Sequence, residues 1–138
     1  MIQNCCKMTN RFKEFCLFFS VLIFAASCGY EKPEAIKIAE ADLPDKLDYN
    51  FHVRPILSDK CFACHGPDAA NQKAGLRLDR AEDAQKALQN GKGYSIVAGK
   101  PQKSEVYHRI ISQDETYIMP PPESHLKLTA KEIAIITK

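Results

Sequence analysis

Cys61-Phe62-Ala63-Cys64-His65 is the stretch on which the reading of this chain turns. Two cysteines separated by two residues and followed at once by histidine have the spacing of a c-type haem attachment site. Each thiol can add across one vinyl group of the porphyrin, and a single helical turn between them turns both toward the same edge. His65, next in the chain, can then bring its ring under the iron as the proximal ligand. Five positions can match by chance, so the weight of the motif depends on what surrounds it.

Its first support lies upstream. Lys7, Arg11 and Lys13 precede an apolar run from Phe15 to Ala26, which ends in Ala25-Ala26-Ser27-Cys28. A positive segment, a short apolar stretch and small residues before a cut make a secretory leader. The run falls short of the roughly 20 apolar residues needed to span a bilayer. Small residues directly before a cysteine resemble the lipobox of bacterial lipoproteins. Residues 1–27 are thus read as a lipoprotein-type signal peptide and Cys28 as the lipidated first residue of the mature chain, with Met8 a second candidate start beside Met1. An ordinary signal peptide cut nearby, or an uncleaved anchor, is the plainer alternative. Covalent haem is attached outside the cytoplasmic membrane, so export is what the motif requires. The expected location is a membrane-anchored lipoprotein on the periplasmic or cell-surface side.

Cysteine usage agrees with this. Of six cysteines, Cys5, Cys6 and Cys16 leave with the leader and Cys28 takes lipid, so Cys61 and Cys64 remain and no disulfide framework is left. Charge says little about partners. Losing Lys7, Arg11, Lys13 and Glu14 leaves sixteen residues of each sign, without the basic stripe that nucleic acid demands. Neither a glycine-rich phosphate loop nor an internal repeat is present.

Residues 28–49 are polar and mixed in charge, and read as a flexible tether, in which a helix between Glu34 and Ala41 can form but would have little to pack on. Residues 50–138 read as one small all-α domain of about four short helices, whose modest core would depend on a covalent haem. The first helix is predicted over Val53–Cys64, with Pro55 tolerated only in its first turn. Val53, Ile56, Leu57, Cys61 and Cys64 then fall on one stripe, and Gly66-Pro67 ends the helix. Asp79, with Glu82 as its capping-box partner, is predicted to start a helix reaching Gln89, stopped at Asn90-Gly91. Ser104 starts another, with Val106, Tyr107, Ile110 and Ile111 on its buried face. Thr129-Ala130-Lys131-Glu132 signals a last one leading into Ile133 and Ile136. So short a helix is marginal alone, and the chain is expected to be the N-terminal part of a larger multidomain protein, its final helix truncated at Lys138.

An electron-transferring haem needs a sixth ligand. Met119 lies in Tyr117-Ile118-Met119-Pro120-Pro121-Pro122, where three prolines fix an extended backbone and push Met119 out of the helical region. Such a loop can hold a thioether toward iron, and soft sulfur opposite imidazole favours ferrous iron. A core methionine beside a proline turn is the plain alternative. Among the histidines, His52 is too close to the attachment motif to cross the haem, His108 reads as a half-exposed helix residue, and His125 is the serious competitor. A backbone carbonyl near Pro67 is expected to accept the Nδ1 proton of His65. Arg77 and Tyr94 are candidates for a haem propionate, each as readily a solvated surface residue.

These residues closely resemble the planctomycete-type cytochrome c domain. The similarity is carried by Val53-Arg54-Pro55-Ile56-Leu57 leading into Cys61-Phe62-Ala63-Cys64-His65-Gly66-Pro67-Asp68, by Ala74-Gly75-Leu76-Arg77-Leu78-Asp79, by Met119-Pro120-Pro121-Pro122-Glu123-Ser124, and by Leu128-Thr129 with Glu132-Ile133. In that family the domain is a small all-α haem module near the N-terminus of large exported proteins. The resemblance implies one covalent haem c on Cys61 and Cys64, with His65 and Met119 as axial ligands. The family's final helix usually runs on through an aromatic residue that is absent here.

The leading function is therefore a one-electron carrier domain rather than an enzyme, with redox proteins as partners and a lipid anchor in the membrane. A peroxidatic or gas-binding haem, its distal methionine displaceable, is the alternative; the proline-stiffened loop argues against it. A thiol–disulfide module on Cys61 and Cys64 lacks its βαβ setting, and a zinc site on those residues and His65 lacks a fourth ligand at finger-like spacing.

Overall fold

A helix over Glu34–Ala41 (α1) occupies the stretch that composition assigns to a tether. Ile36 on this helix is only 4 % exposed, and Leu43 just beyond it is buried with Ile110, Ile133 and Ala134. Ala39 and Leu47 pack against the same cluster. Ile36, Ala39, Leu43 and Leu47 stand three or four residues apart, so a thin apolar stripe runs through a polar segment whose average hides it. The tether assignment is corrected accordingly: from Lys32 the chain belongs to the same compact unit as the rest of the domain. The computed structural model describes residues 32–89, 91 and 93–138. The leader, its cut site, Cys28 and the Asn90 stop signal lie outside the described residues.

The attachment motif sits on three short pieces rather than one helix. The Asp48 carboxylate accepts from the Phe51 amide at 2.8 Å and opens a π-helical turn over Tyr49–Val53. Arg54–Lys60 (α2) follows, with Pro55 in its first turn as expected. At Cys61 the backbone leaves helical geometry (φ −125°) while its amide still reaches the Leu57 carbonyl at 2.9 Å, and Phe62–His65 (α3) resumes after that kink.

The helix predicted from Asp79 shrinks to Ala81–Ala84 (α4). Asp79 does not cap it, because its carboxylate takes a bidentate bond from Arg77, and Glu82 pairs with Arg80 instead of closing a capping box. The far end is lost to competition for one carbonyl. Ala84 accepts from the Ile96 amide at 3.1 Å and from the Ser95 hydroxyl, while Leu88 donates to Gly93. A local helix signal yields here to bonds from a later loop.

Downstream the signals hold. A 3₁₀ turn over Pro101–Lys103 leads into Glu105–Ile110 (α5), which buries Tyr107 and Ile110. A second 3₁₀ turn covers Pro122–Ser124. The last helix, Ala130–Thr137 (α6), starts at a full capping box between Thr129 and Glu132. It packs along α1, burying Ile133 and Ala134. The marginal short helix thus finds its partner in the segment read as a tether. Among the described residues there is no strand, only isolated bridges at Ala87–Tyr94 and Tyr94–Ser104, and the domain is all-α. No described helix is long and apolar enough to cross a membrane.

Ile36→Ala tests the corrected boundary. Truncating a buried isoleucine typically costs about 2–5 kcal/mol, and urea unfolding of the matured protein should show a loss in that range. A change within about 0.5 kcal/mol, the level of ordinary surface substitutions, would return residues 32–47 to the status of a tether.

Candidate functional site

The site is built from the α3 turn outward. Cys64 and His65 donate their amides to the Cys61 carbonyl at 3.1 and 2.8 Å, so the two cysteines bracket a single turn. Both thiols are free and half-buried. Gly66 ends the turn where a side chain has no room, since a Cβ there would lie 2.4 Å from the Phe62 carbonyl oxygen. The chain then returns. Lys73 donates to the Cys64 carbonyl at 2.9 Å and Leu78 to that of His65 at 2.7 Å, locking residues 73–78 beside the motif. The return bends through two left-handed residues, Ala74 (φ 53°) and Gly75 (φ 62°). Glycine suits the second, where a Cβ would meet the Gln89 amide nitrogen at 2.1 Å.

Met119 lies on the loop after α5. Its amide donates to the Arg109 carbonyl on α5 at 3.1 Å. Beyond it the Met119–Pro120 bond is cis, Pro121 is extended (φ −71°, ψ 151°), and the Ser124 hydroxyl closes back on the Pro121 carbonyl at 2.6 Å.

Two cavities, of about 170 and 190 Å³, share a wall made by Cys61, His65, Ala74, Ile110 and Met119. The first extends past Cys64 toward Pro120, Pro121 and Leu126. The second runs past Leu76, Leu78 and Leu88 to Arg109. Apolar space therefore flanks both His65 and Met119. A recess of about 370 Å³ beside Tyr49, Val53 and Leu57 contains none of the motif residues.

Burial governs the chemistry of the donors. It pushes the His65 pKa below its ordinary value, with the Leu76 and Lys73 carbonyls opposing more weakly and the Arg109 charge adding to the fall. Burial thus favours the neutral ring, the form in which an imidazole binds a metal. The carbonyl expected near Pro67 does not take the Nδ1 proton, for Nδ1 is buried without a hydrogen-bond partner. Burial raises the Cys61 thiol to about 11. Because the thiolate is the form that reacts, alkylation of Cys61 by iodoacetamide in native haem-free protein should accelerate up to about pH 11. A rate already half-maximal near the ordinary value of 9.0 would show that the thiol is not shielded.

The competing residues are engaged elsewhere. His52 takes a bond from the Asp48 amide at 2.9 Å, and His108 Nε2 faces the Gln102 carbonyl at 2.9 Å. His125 is exposed, left-handed (φ 56°), and lines neither cavity. Neither propionate candidate lines them either: Arg77 is taken by Asp79, and Tyr94 is 52 % exposed. The cation on the second cavity is Arg109, passed over in the sequence because a lone arginine on a short helix resembles any solvated one. Two half-buried thiols, an imidazole and a thioether around apolar space are a donor set that fits an iron porphyrin. It offers no charged ligand cluster, and no group of three or more His, Cys, Asp or Glu able to hold a metal ion occurs among the described residues.

A family model described as planctomycete cytochrome C matches residues 61–123, a span running from Cys61 past Met119. No curated protein and no solved structure matches the chain.

Proposed function

We propose that the chain holds a planctomycete-type cytochrome c domain, as the family match over residues 61–123 supports, and that it carries single electrons through one haem c attached to Cys61 and Cys64, with His65 and Met119 as axial ligands. The observation that carries this reading is the common wall: Cys61, His65 and Met119 line the same two apolar cavities. When bound, the haem supplies the ferric–ferrous couple. The rest falls to the chain. Cys61 and Cys64 fix the porphyrin edge, so orientation does not depend on the metal bonds. His65 meets the iron as a neutral imidazole, and Met119 gives soft sulfur that favours the ferrous state. Leu76, Leu78, Ile110 and Leu126 exclude water, which keeps the solvent rearrangement on electron transfer small.

We place the domain outside the cytoplasmic membrane, held by lipid on Cys28 and serving redox proteins as partners, as the N-terminal part of a longer multidomain protein. The leader composition of residues 1–27 and the export that haem c attachment demands support this.

An optical spectrum of the protein matured in a host with haem c machinery tests the central claim. A low-spin ferrous spectrum, unchanged under carbon monoxide, is the expected result. A high-spin spectrum that shifts readily with the gas would replace the carrier by a gas-binding or peroxidatic haem.

A further inference from the structure

Met119 is fastened almost entirely through two residues of α5. Pro120, Pro121 and Pro122 have no amide to donate, so the backbone bond tying this loop to α5 is the one from the Met119 amide to the Arg109 carbonyl. The side chain of Arg109 adds three contacts. Its guanidinium stacks over the Tyr117 ring at 4.4 Å, Nη1 donates to the Tyr117 carbonyl at 3.4 Å, and Nε donates to Glu105 Oε1 at 3.0 Å. The same Glu105 oxygen accepts from the Tyr117 hydroxyl at 2.9 Å. Glu105 and Arg109 lie one helical turn apart and are about two-thirds buried, with side-chain exposures of 27 % and 33 %. Both also line the second cavity together with Met119 and His65.

We propose that Glu105, Arg109 and Tyr117 form a clamp holding Met119 in the sixth position, with Arg109 as its central positioning residue. The inference rests on Met119 being that ligand. Three features separate the cluster from an ordinary surface ion pair, which contributes little. It is partly buried, it closes on itself through three different groups, and it grips Tyr117, two positions before the methionine, as well as the methionine amide. Arg109 also lines the same cavity as His65, so its charge bears on an iron held there. A nearby cation disfavours the ferric state, and a nearby carboxylate favours it.

These roles predict a pattern that loss of structure alone cannot produce. Y117F breaks the hydroxyl bond but keeps the ring under Arg109, and should loosen Met119. In R109Q the stack, the fork and the charge all go. R109K restores charge without fork geometry. E105Q keeps an acceptor oxygen for both partners and removes only the negative charge.

The test compares matured holoprotein of each variant with wild type and M119A, reading the ferric sulfur-to-iron charge-transfer band, carbon monoxide binding to the ferrous form, and the reduction potential. Expected are weakening of the band and several-fold faster gas binding in Y117F, with a larger change and a lower potential in R109Q. R109K should recover the potential more than it recovers exclusion of the gas. E105Q should raise the potential and leave the gas excluded. If R109Q yields no holoprotein, Y117F and E105Q still decide the matter. Should M119A open the site while R109Q, or Y117F in its absence, keeps the band and excludes the gas as wild type does, the clamp is refuted and the ligand assignment stands. Should M119A match wild type, the ligand assignment falls and the clamp with it.

Discussion

Replacing Cys61 and Cys64 together by alanine should abolish haem staining on denaturing gels, where the wild-type band stays stained without reductant. The effect is all-or-none because denaturant releases a haem held only by iron–ligand bonds, whereas a thioether survives it. Either single variant keeps one tether and should stain weakly. Folding should suffer as well. Without haem the apolar walls at Leu76, Leu78, Ile110 and Leu126 face water instead of the porphyrin, and that burial is lost. Small domains are stable by only about 5–15 kcal/mol, so the loss weighs heavily. The double variant should therefore melt far below the holoprotein and be degraded in the exporting host. Staining that persists in it would remove Cys61 and Cys64 as the attachment points.

Local signals were readable where no distant group competed for them. Pro55 in the first turn of α2, the Thr129–Glu132 capping box and the Tyr107–Ile110 face all formed as their neighbours in sequence dictate. Where a distant partner intervened, the local rule lost. Asp79 has the makings of an N-cap, but Arg77 holds its carboxylate, and the Ala84 carbonyl is claimed by Ser95 and Ile96 from a loop eleven and twelve positions on. For α1 the sequence allowed a helix but showed no partner for it. Its apolar residues are diluted by charged ones, and only the helical spacing of Ile36 and Ala39, with Leu43 and Leu47 just beyond, marks them as core. At the site, the donor residues stand in short motifs that chemistry makes legible. The supports do not, because Glu105, Arg109 and Tyr117 acquire meaning only when α5 and the proline loop meet. The spacing of Glu105 and Arg109 at i, i+4 was visible in the sequence, but such pairs are common on solvated helices.

Met119→Ala should leave haem attached and open the sixth position. Attachment depends on Cys61 and Cys64 at α3, and the methionine belongs to the separate loop after α5, so the two properties should separate cleanly on mutation. Alanine offers no donor, and the alternatives within the chain are poorly placed: His125 is exposed and lines neither cavity, and His108 is turned toward Gln102. Ferrous iron in the variant should then bind carbon monoxide that the wild type excludes. The reduction potential should fall with loss of the soft sulfur. Axial ligation spans about 0.8 V across haem proteins, so this exchange should exceed any shift obtained by altering Arg109 or Glu105, which leaves the thioether itself in the chain. Stability should drop less than in the double cysteine variant, because the porphyrin still fills the apolar space around Leu76, Leu78 and Ile110. If wild type and variant bind the gas equally well, Met119 does not close the site. The apolar pocket beside His65 would then be a place where a small ligand meets iron, and electron carriage would give way to gas binding or peroxide chemistry as the function of the domain.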